Sequence, residues 1–257
     1  MKDIFSLSGK NAVVIGGAGG IGQAISAGLA FYGANVAIAS RKLENLEKAA
    51  QEIKEEIGKE ISVYQVDAGS EESIRALVEN VVKDMGRVDI LINSQGLNIK
   101  KEAMDFDMND WDHLFNINVK GLMICCKEFG KVMAKQNYGK IVNVSSVRGA
   151  RACGGGNAAY CSSKGAVDMM TRTLAVEFAP YNITVNAVGP TLTETPMMTG
   201  FFEKNPNIKE SLSKSHPLGR LGTPEDMIGA AVFLSSDASS YVTGQVVYAD
   251  GGLTAVG

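Results

Sequence analysis

At 257 residues and 45% hydrophobic content, the chain is long enough to bury one large α/β core or two small ones. A net charge of −3 leaves no basic footprint for nucleic acid, and no apolar run approaches the ~20 residues a spanning helix needs. Neither nucleic acid nor a membrane is therefore expected as a partner. The N-terminus, MKDIFSLSGK, lacks the apolar stretch of a signal peptide. The four cysteines, Cys125, Cys126, Cys153 and Cys161, show no metal or disulfide spacing, so they read as reduced thiols in a cytoplasmic protein. The two histidines, His113 and His216, stand far apart, which argues against a histidine metal site or a Ser-His-Asp triad.

Short β-branched runs alternate with helical periods along the whole chain. Residues 12–16 (AVVIG) suit a buried strand, and a Gly-rich turn and a helix over about 21–32 follow. Residues 35–39 (NVAIA) form a second strand. The next helix carries Leu43, Leu46, Ala50, Ile53 and Ile57 on one face and stops at Gly58. After a third strand at 61–66 (ISVYQV), Ile74, Leu77, Val78, Val81, Val82 and Met85 make a one-sided apolar stripe that must cover a sheet face. Residues 89–93 (DILIN) form the fourth strand, and a long helix is expected from about 110 to 135. The fifth strand covers 140–145, and a helix bearing Tyr160 and Lys164 runs to about Phe178. The sixth strand is 182–188 (NITVNAV). Residues 191–218 break the rhythm with Pro196, Pro206 and Pro217 and show little regular pattern. Thr223 and Pro224 open a last helix to about Ser235, and 245–249 (QVVYA) is a seventh strand.

Seven strands alternating with helices predict parallel strands and right-handed crossovers. The fold class is α/β: one doubly wound, Rossmann-type domain over 1–257, its seven-stranded parallel sheet flanked by helices. Ligands of such sheets bind outside the carboxyl ends of the strands. Residues 16–22, Asn93, Ser146 and Val188 follow or end strands, so the fold brings them to one edge.

Gly16-Gly17-Ala18-Gly19-Gly20-Ile21-Gly22 lies between the first strand and the first helix. Glycines permit close backbone approach, and a helix N-terminus offers free N–H groups to phosphate, so a dinucleotide is expected there. An acid ~20 residues further on would hold a ribose 2′-hydroxyl. At that place stand Ser40, Arg41 and Lys42. A hydroxyl and two cations suit a 2′-phosphate, so NADP(H) is favoured and NAD(H) is the alternative.

Tyr160-x-x-x-Lys164 places a phenol and an ammonium on one helix face. An ammonium favours the phenolate and lowers the phenol pKa. A tyrosine tuned in this way passes a proton to or from an alcohol oxygen, and the Ser146 hydroxyl, at the end of the fifth strand, is placed to hold the same oxygen.

These residues together resemble the short-chain dehydrogenases/reductases in their ~250-residue form, over nearly the whole chain. Gly16-x-x-x-Gly20-x-Gly22 looks like the family's TGxxxGxG, with Ile15 in place of threonine. Asp67, with Ala68 beside it, resembles the acid that contacts adenine. Asn93-Ser94-Gln95-Gly96 is similar to NNAG, from which Ser94 and Gln95 depart. Pro190-Thr191-x-Thr193-x-Thr195 resembles the PGxxxT segment near the nicotinamide, and Asp250-Gly251-Gly252 the terminal DGG. The resemblance implies cofactor contacts at Gly16, Gly19, Gly20, Ile21, Gly22, Ser40, Arg41, Asp67, Ala68, Asn93, Gly96, Tyr160, Lys164, Pro190, Thr191, Thr193 and Thr195. It implies catalytic roles for Asn118, Ser146, Tyr160 and Lys164. Ser146 and Tyr160 stand slightly further apart than is usual, which places an insertion at Cys153–Gly156. Within the family, the stretches FSLSGKNAVVIGG, GLNIKK and VTGQVVYADGG look most like gluconate 5-dehydrogenases and related sugar or polyol reductases. They look more loosely like 3-oxoacyl-carrier-protein reductases.

The implied activity is reversible hydride transfer between NADP(H) and a carbonyl or secondary alcohol of a sugar, sugar acid or polyol, in carbohydrate metabolism. A ketoreductase of the 3-oxoacyl-carrier-protein type is the alternative. A non-catalytic nucleotide-binding protein is the alternative of another class, since fold does not fix function. The implied assembly is a homotetramer packed through the long helices after strands four and five. Substrate contacts are expected from Asn98, Arg148, Arg151, Asn157 and Glu194, arginines near the reacting centre suiting a carboxylate or a polyhydroxyl chain. Lys100 and His216 lie in the same loops. The 191–218 segment reads as a lid, with Met197 and Met198 packing it.

Overall fold

The computed structural model describes residues 3–256; within these, the side chains of Pro196, Met197, Thr199 and Phe201 lie outside the description. Seven strands form one parallel sheet. They are β1 (Asn11–Ile15), β2 (Asn35–Ser40), β3 (Ser62–Gln65), β4 (Ile90–Asn93), β5 (Gly139–Val144), β6 (Ile183–Pro190) and β7 (Val246–Ala249), in the order β3-β2-β1-β4-β5-β6-β7. Val13 is paired with Ala37 on one side and Leu91 on the other. The order reverses between β1 and β4, which opens a crevice at their carboxyl ends.

Alternate side chains of each strand enter opposite layers, as the period of two requires. Val13, Ile15 and Leu91 pack on one face with Phe129 and Met133. Ala12, Val14, Ile90 and Ile92 pack on the other with Ile25 and Leu29. Burying a side chain such as Phe129 completely stabilises the fold by about 1.5–3 kcal/mol. Both faces are covered, so the central strands read as continuous apolar runs.

The covering helices follow the expected stripes. They are α1 (Gly20–Phe31), α2 (Leu43–Ile57), α3 (Glu71–Met85), α4 (Met108–Phe115), α5 (Leu122–Gln136) and α6 (Ala158–Phe178). The Ser70 side chain caps α3 by accepting from Ser73 N–H at 3.2 Å. Near the C-terminus, Thr223 and Asp226 form a capping box on the turn Pro224–Met227, which leads into the last long-chain helix, Ile228–Ser235.

Two expectations are corrected. The long helix expected over 110–135 is two helices, α4 and α5, joined by a π-helical stretch, Asn116–Gly121. A Cβ on Gly121 would lie 2.0 Å from the Ala68 carbonyl oxygen, so the stretch bulges where the backbone passes closest. Within α4, Trp111 and Phe115 are half-buried and stack on each other at 4.6 Å. The 191–218 segment is not irregular. It contains α7 (Pro196–Lys204) and α8 (Pro206–Lys214), each with its proline in the first turn, where the missing N–H costs nothing. The helix Ile228–Ser235 is therefore α9.

Candidate active site

The loop after β1 turns under the carboxyl edge of the sheet. Gly16 has φ +80° and passes so close to β4 that a Cβ there would stand 2.7 Å from the Ser94 backbone. A Cβ on Gly22 would meet the Gly16 carbonyl oxygen at 2.2 Å, which seats α1 tightly against the loop. Gly19 caps α1 in extended conformation, no side chain bonds the first N–H groups, and no acid stands in the first turn. Such a helix end favours an anion.

These N–H groups face a cleft of about 740 Å³ that runs from Ser40 and Arg41, past Gly19 and Gly20, to Gly96 and Thr195. Asp67 and Ala68 line its wall. The cleft has the shape and chemistry for a dinucleotide. A glycine cradle and a helix N-terminus sit at its middle, a hydroxyl and a guanidinium at one end, and Gly96, next to Lys164, at the other. Gly22 acts by seating α1. The Asn93 side chain does not line the cleft, contrary to expectation. It is fully buried and donates to Asn143 Oδ1 at 2.9 Å, tying β4 to β5. Thr191 and Thr193 also turn inward. Thr191 bonds His216 at 2.9 Å, and Thr193 donates to the Thr191 carbonyl at 3.0 Å.

At the reacting end, Ser146 follows β5 and Tyr160 and Lys164 occupy the first turns of α6. The Ser146 hydroxyl donates to the Pro190 carbonyl at 3.4 Å and accepts from Arg148 N–H at 3.2 Å. The Lys164 ammonium, fully buried, donates to the Val144 carbonyl at 2.8 Å. Asn118, in the π-helical stretch, accepts from Leu97 N–H and donates to the Leu97 carbonyl, both at 2.9 Å, and donates to Ser163 at 3.1 Å. It thus pins the Gly96–Leu97 turn where a Cβ on Gly96 would stand 3.7 Å from Lys164 Nζ.

The electrostatics differ from the sequence expectation in one respect. Burial raises the Tyr160 phenol above its ordinary value, while a hydrogen bond with Ser146 and the nearby Arg148 favour the phenolate. Desolvation outweighs both. Burial also lowers Lys164 to about 8, with Asp168 opposing it.

The five expected substrate residues divide. Asn98 donates to Asn157 Oδ1 at 3.0 Å, which closes the loop after β4 onto the turn before α6. Arg148 sits beside Tyr160 and reaches only a long 3.5 Å contact with the Ala152 carbonyl. Arg151 instead donates to the Leu253 carbonyl and anchors the C-terminal segment. Glu194 pairs with Lys209 of α8 at 2.8 Å. Arg151 and Glu194 thus each have a partner within the chain. The Met197 side chain lies outside the described residues.

Residues 16–254 match the family model described as Enoyl-(Acyl carrier protein) reductase. The chain belongs to the short-chain dehydrogenase/reductase family. Among curated relatives of this family, the 3-oxoacyl-[acyl-carrier-protein] reductase of Thermotoga maritima is 40% identical, across 96% of this chain and 98% of that protein. The gluconate 5-dehydrogenase of Gluconobacter oxydans is 37% identical, across 98% and 97%. The crystal structure of a gluconate 5-dehydrogenase from Burkholderia cenocepacia, in complex with NADP and tartrate, superposes with a TM-score of 0.92 at 31% identity and covers 99% of both chains. The protein is thus an oxidoreductase of the dehydrogenase/reductase type, acting between CH–OH and keto groups.

Three features of this short-chain dehydrogenase/reductase were not singled out in the sequence. Asn45, Lys48 and Glu52 of α2 line the adenosine end of the cleft, and Gln23 of α1 reaches Glu52 at 2.7 Å. Their i, i+3, i+7 spacing beside Arg41 was a usable signal. Asp168, one turn beyond Lys164, is buried among Ser145, Tyr248 and Gly149. Cys153 and Cys161, named in the sequence but not paired there, stand with their sulfurs 3.9 Å apart beside Tyr160. Among the described residues, no helix is long and apolar enough to cross a membrane, and no group of three His, Cys, Asp or Glu side chains could hold a metal ion.

Proposed function

We propose that the protein reversibly reduces the ketone of a sugar acid or related polyol, with NADP(H) as cofactor. The observation that carries the substrate class is the Arg148 guanidinium beside the reacting tyrosine, with Lys100 beside the neighbouring Cys153. Arg148 acts on both Tyr160 and Cys153, and Lys100 acts on Cys153 from the loop after β4. A carboxylate beside the reacting carbonyl would pair with them. The Gluconobacter relative is named a gluconate dehydrogenase, and the Burkholderia structure holds tartrate, a hydroxy acid. The cofactor assignment rests on Ser40 and Arg41 at the end of β2, with no carboxylate at that strand end, and is supported by NADP in that same structure.

The nicotinamide, when bound, supplies or accepts the hydride. Tyr160 gives its proton to the carbonyl oxygen in reduction and takes it back in oxidation. Ser146 donates a hydrogen bond to that oxygen as charge develops. Lys164 would hold the nicotinamide ribose, while Ser146 and Arg148 favour the phenolate against the effect of burial. Asn118 fixes the Gly96–Leu97 turn against Lys164 and starts the water path that reprotonates Tyr160. The α7–α8 segment closes over the substrate. In this reading the protein works as a homotetramer packed through α5 and α6, on whose surface Met169 and Val176 are exposed.

The Thermotoga relative supports a second reading, reduction of 3-oxoacyl thioesters. NADPH oxidation measured with 5-keto-D-gluconate, other keto sugar acids and a 3-oxoacyl thioester separates the two. A higher kcat/KM for the keto acids is expected. A higher value for the thioester, or no turnover of the keto acids, overturns the sugar-acid assignment.

A further inference from the structure

Tyr160 is followed directly by Cys161, on the outer side of the first turn of α6. The loop between Ser146 and this turn brings Cys153 back over it, so the two sulfurs stand 3.9 Å apart. Both residues are half-buried, whereas Cys125 and Cys126 are fully buried in the core, where burial pushes both thiols up, Cys126 to about 12. The pair at the site is therefore the reagent-accessible one. Cys153 is followed by Gly154, Gly155 and Gly156, and the latter two have φ of +71° and +75°. Gly154 and Gly155 are exposed, and a Cβ on Gly154 would meet nothing within 4 Å, so the stretch next to Cys153 has room around it.

We propose that Cys153 and Cys161 form a reversible oxidation site, at which a peroxide joins them in a disulfide that restrains the substrate loop and suppresses turnover. A thiolate attacks the peroxide O–O bond and becomes a sulfenic acid, releasing one water. The second thiol attacks that sulfur, expels a second water and closes the S–S bond. Two S–H bonds and one O–O bond are lost. The two sulfurs are oxidised by two electrons, and the peroxide is reduced to two waters.

Closure requires the sulfurs to approach from 3.9 Å to about 2.05 Å. Cys153 must travel with its neighbour Ala152, whose carbonyl makes the long 3.5 Å contact with Arg148. The same loop is held at its far end by Lys101 N–H donating to the Gly156 carbonyl at 3.2 Å and by the Asn98–Asn157 bond. The disulfide therefore pulls on Arg148 and on the turn that aims Tyr160. Burial holds the Cys153 thiol above its ordinary range, with Arg148 and Lys100 opposing.

The test uses the full chain, reduced and then treated with hydrogen peroxide. Unreduced digestion and mass spectrometry should show a Cys153–Cys161 cross-link two hydrogens lighter than the reduced peptides. Because displacements near 1 Å cost about 10²-fold, kcat/KM should fall by about 10–100-fold and return with dithiothreitol. Cys153→Ser should keep its basal activity and lose the peroxide response, and Cys161→Ser should also fail to cross-link. Absence of the cross-link, a cross-linked protein of unchanged rate, or equal peroxide inhibition of Cys153→Ser would each overturn the proposal. The mass readout is independent of which ketone the enzyme prefers.

Discussion

The Lys164 ammonium stands 5.7 Å from the centre of the Tyr160 ring, yet its hydrogen bond goes to the Val144 carbonyl at 2.8 Å. Helical spacing brings phenol and ammonium to one face, and the end of β5 then decides where the ammonium points. Burial acts on the two groups in opposite senses, raising the phenol and lowering the ammonium. Asp168, one turn beyond Lys164, opposes that lowering; burial raises its own carboxyl above the ordinary value, while the Ser145 hydroxyl, Arg172 and the Tyr248 hydroxyl favour its ionised form.

Tyr160→Phe should retain NADPH binding and lose turnover by ~10²–10⁴-fold, the usual contribution of a positioned acid–base group. Fluorescence titration with NADPH and steady-state rates check the two halves separately. A rate within a factor of three of the parent protein would remove Tyr160 from the proton step.

Lys164 titrates at about 8, so its charged fraction falls as pH rises through that value. The reductive kcat/KM should therefore decline above about pH 8. Asp168→Asn removes the charge that supports the ammonium and should move this limb to lower pH. An unmoved limb would leave Asp168 with a packing role only.

The same shift has a consequence for stability. The folded value of about 8 lies below the ordinary 10.5, so between these pH values the unfolded chain binds more protons. Stability contributed by this group rises with pH across that window. Urea unfolding of the parent protein and of Lys164→Met, from pH 8 to 10, should show the parent gaining on the variant. Parallel curves would contradict the buried ammonium.

At the other end of the cleft, Arg41→Ala should raise the KM for NADPH by about 10- to 150-fold, the equivalent of one charge-assisted hydrogen bond, with the KM for NADH nearly unchanged. Ser40→Asp should reverse the preference by adding repulsion. A parent protein with a higher kcat/KM for NADH would defeat the assignment before either variant is made.

The Glu194–Lys209 pair joins the segment after β6 to α8. It is partly exposed, so it contributes about 0.2–1 kcal/mol. Lys209→Ala should speed hydrogen exchange in α8 and lower kcat/KM for the ketone by at most about fivefold, without changing NADPH affinity. Unaltered exchange would mean the pair does not hold the segment closed.

The alternation of apolar runs and helical stripes determined the parallel sheet by itself, because strands buried on both faces admit few other residues. The glycine turn after β1, the Ser40–Arg41 strand end and Tyr160–Lys164 were legible for a related reason. Each is a local pattern whose chemistry depends on spacing within one element. The prolines of 191–218 read as a break in pattern, although Pro196 and Pro206 each start a helix, because proline is compatible with a first turn and with a loop alike. Their positions in loops at the carboxyl edge of the sheet made Arg148, Arg151 and Glu194 candidates for substrate contact. Only the packing of α8 and the C-terminal segment gave Arg151 and Glu194 their partners within the chain and left Arg148 beside Tyr160. Tertiary structure also set the sign of the Tyr160 shift, since desolvation is a property of everything packed around a group and not of its neighbour four residues on. It brought Cys153 to Cys161 as well, through a loop whose glycines leave its path open until the elements on either side are in place.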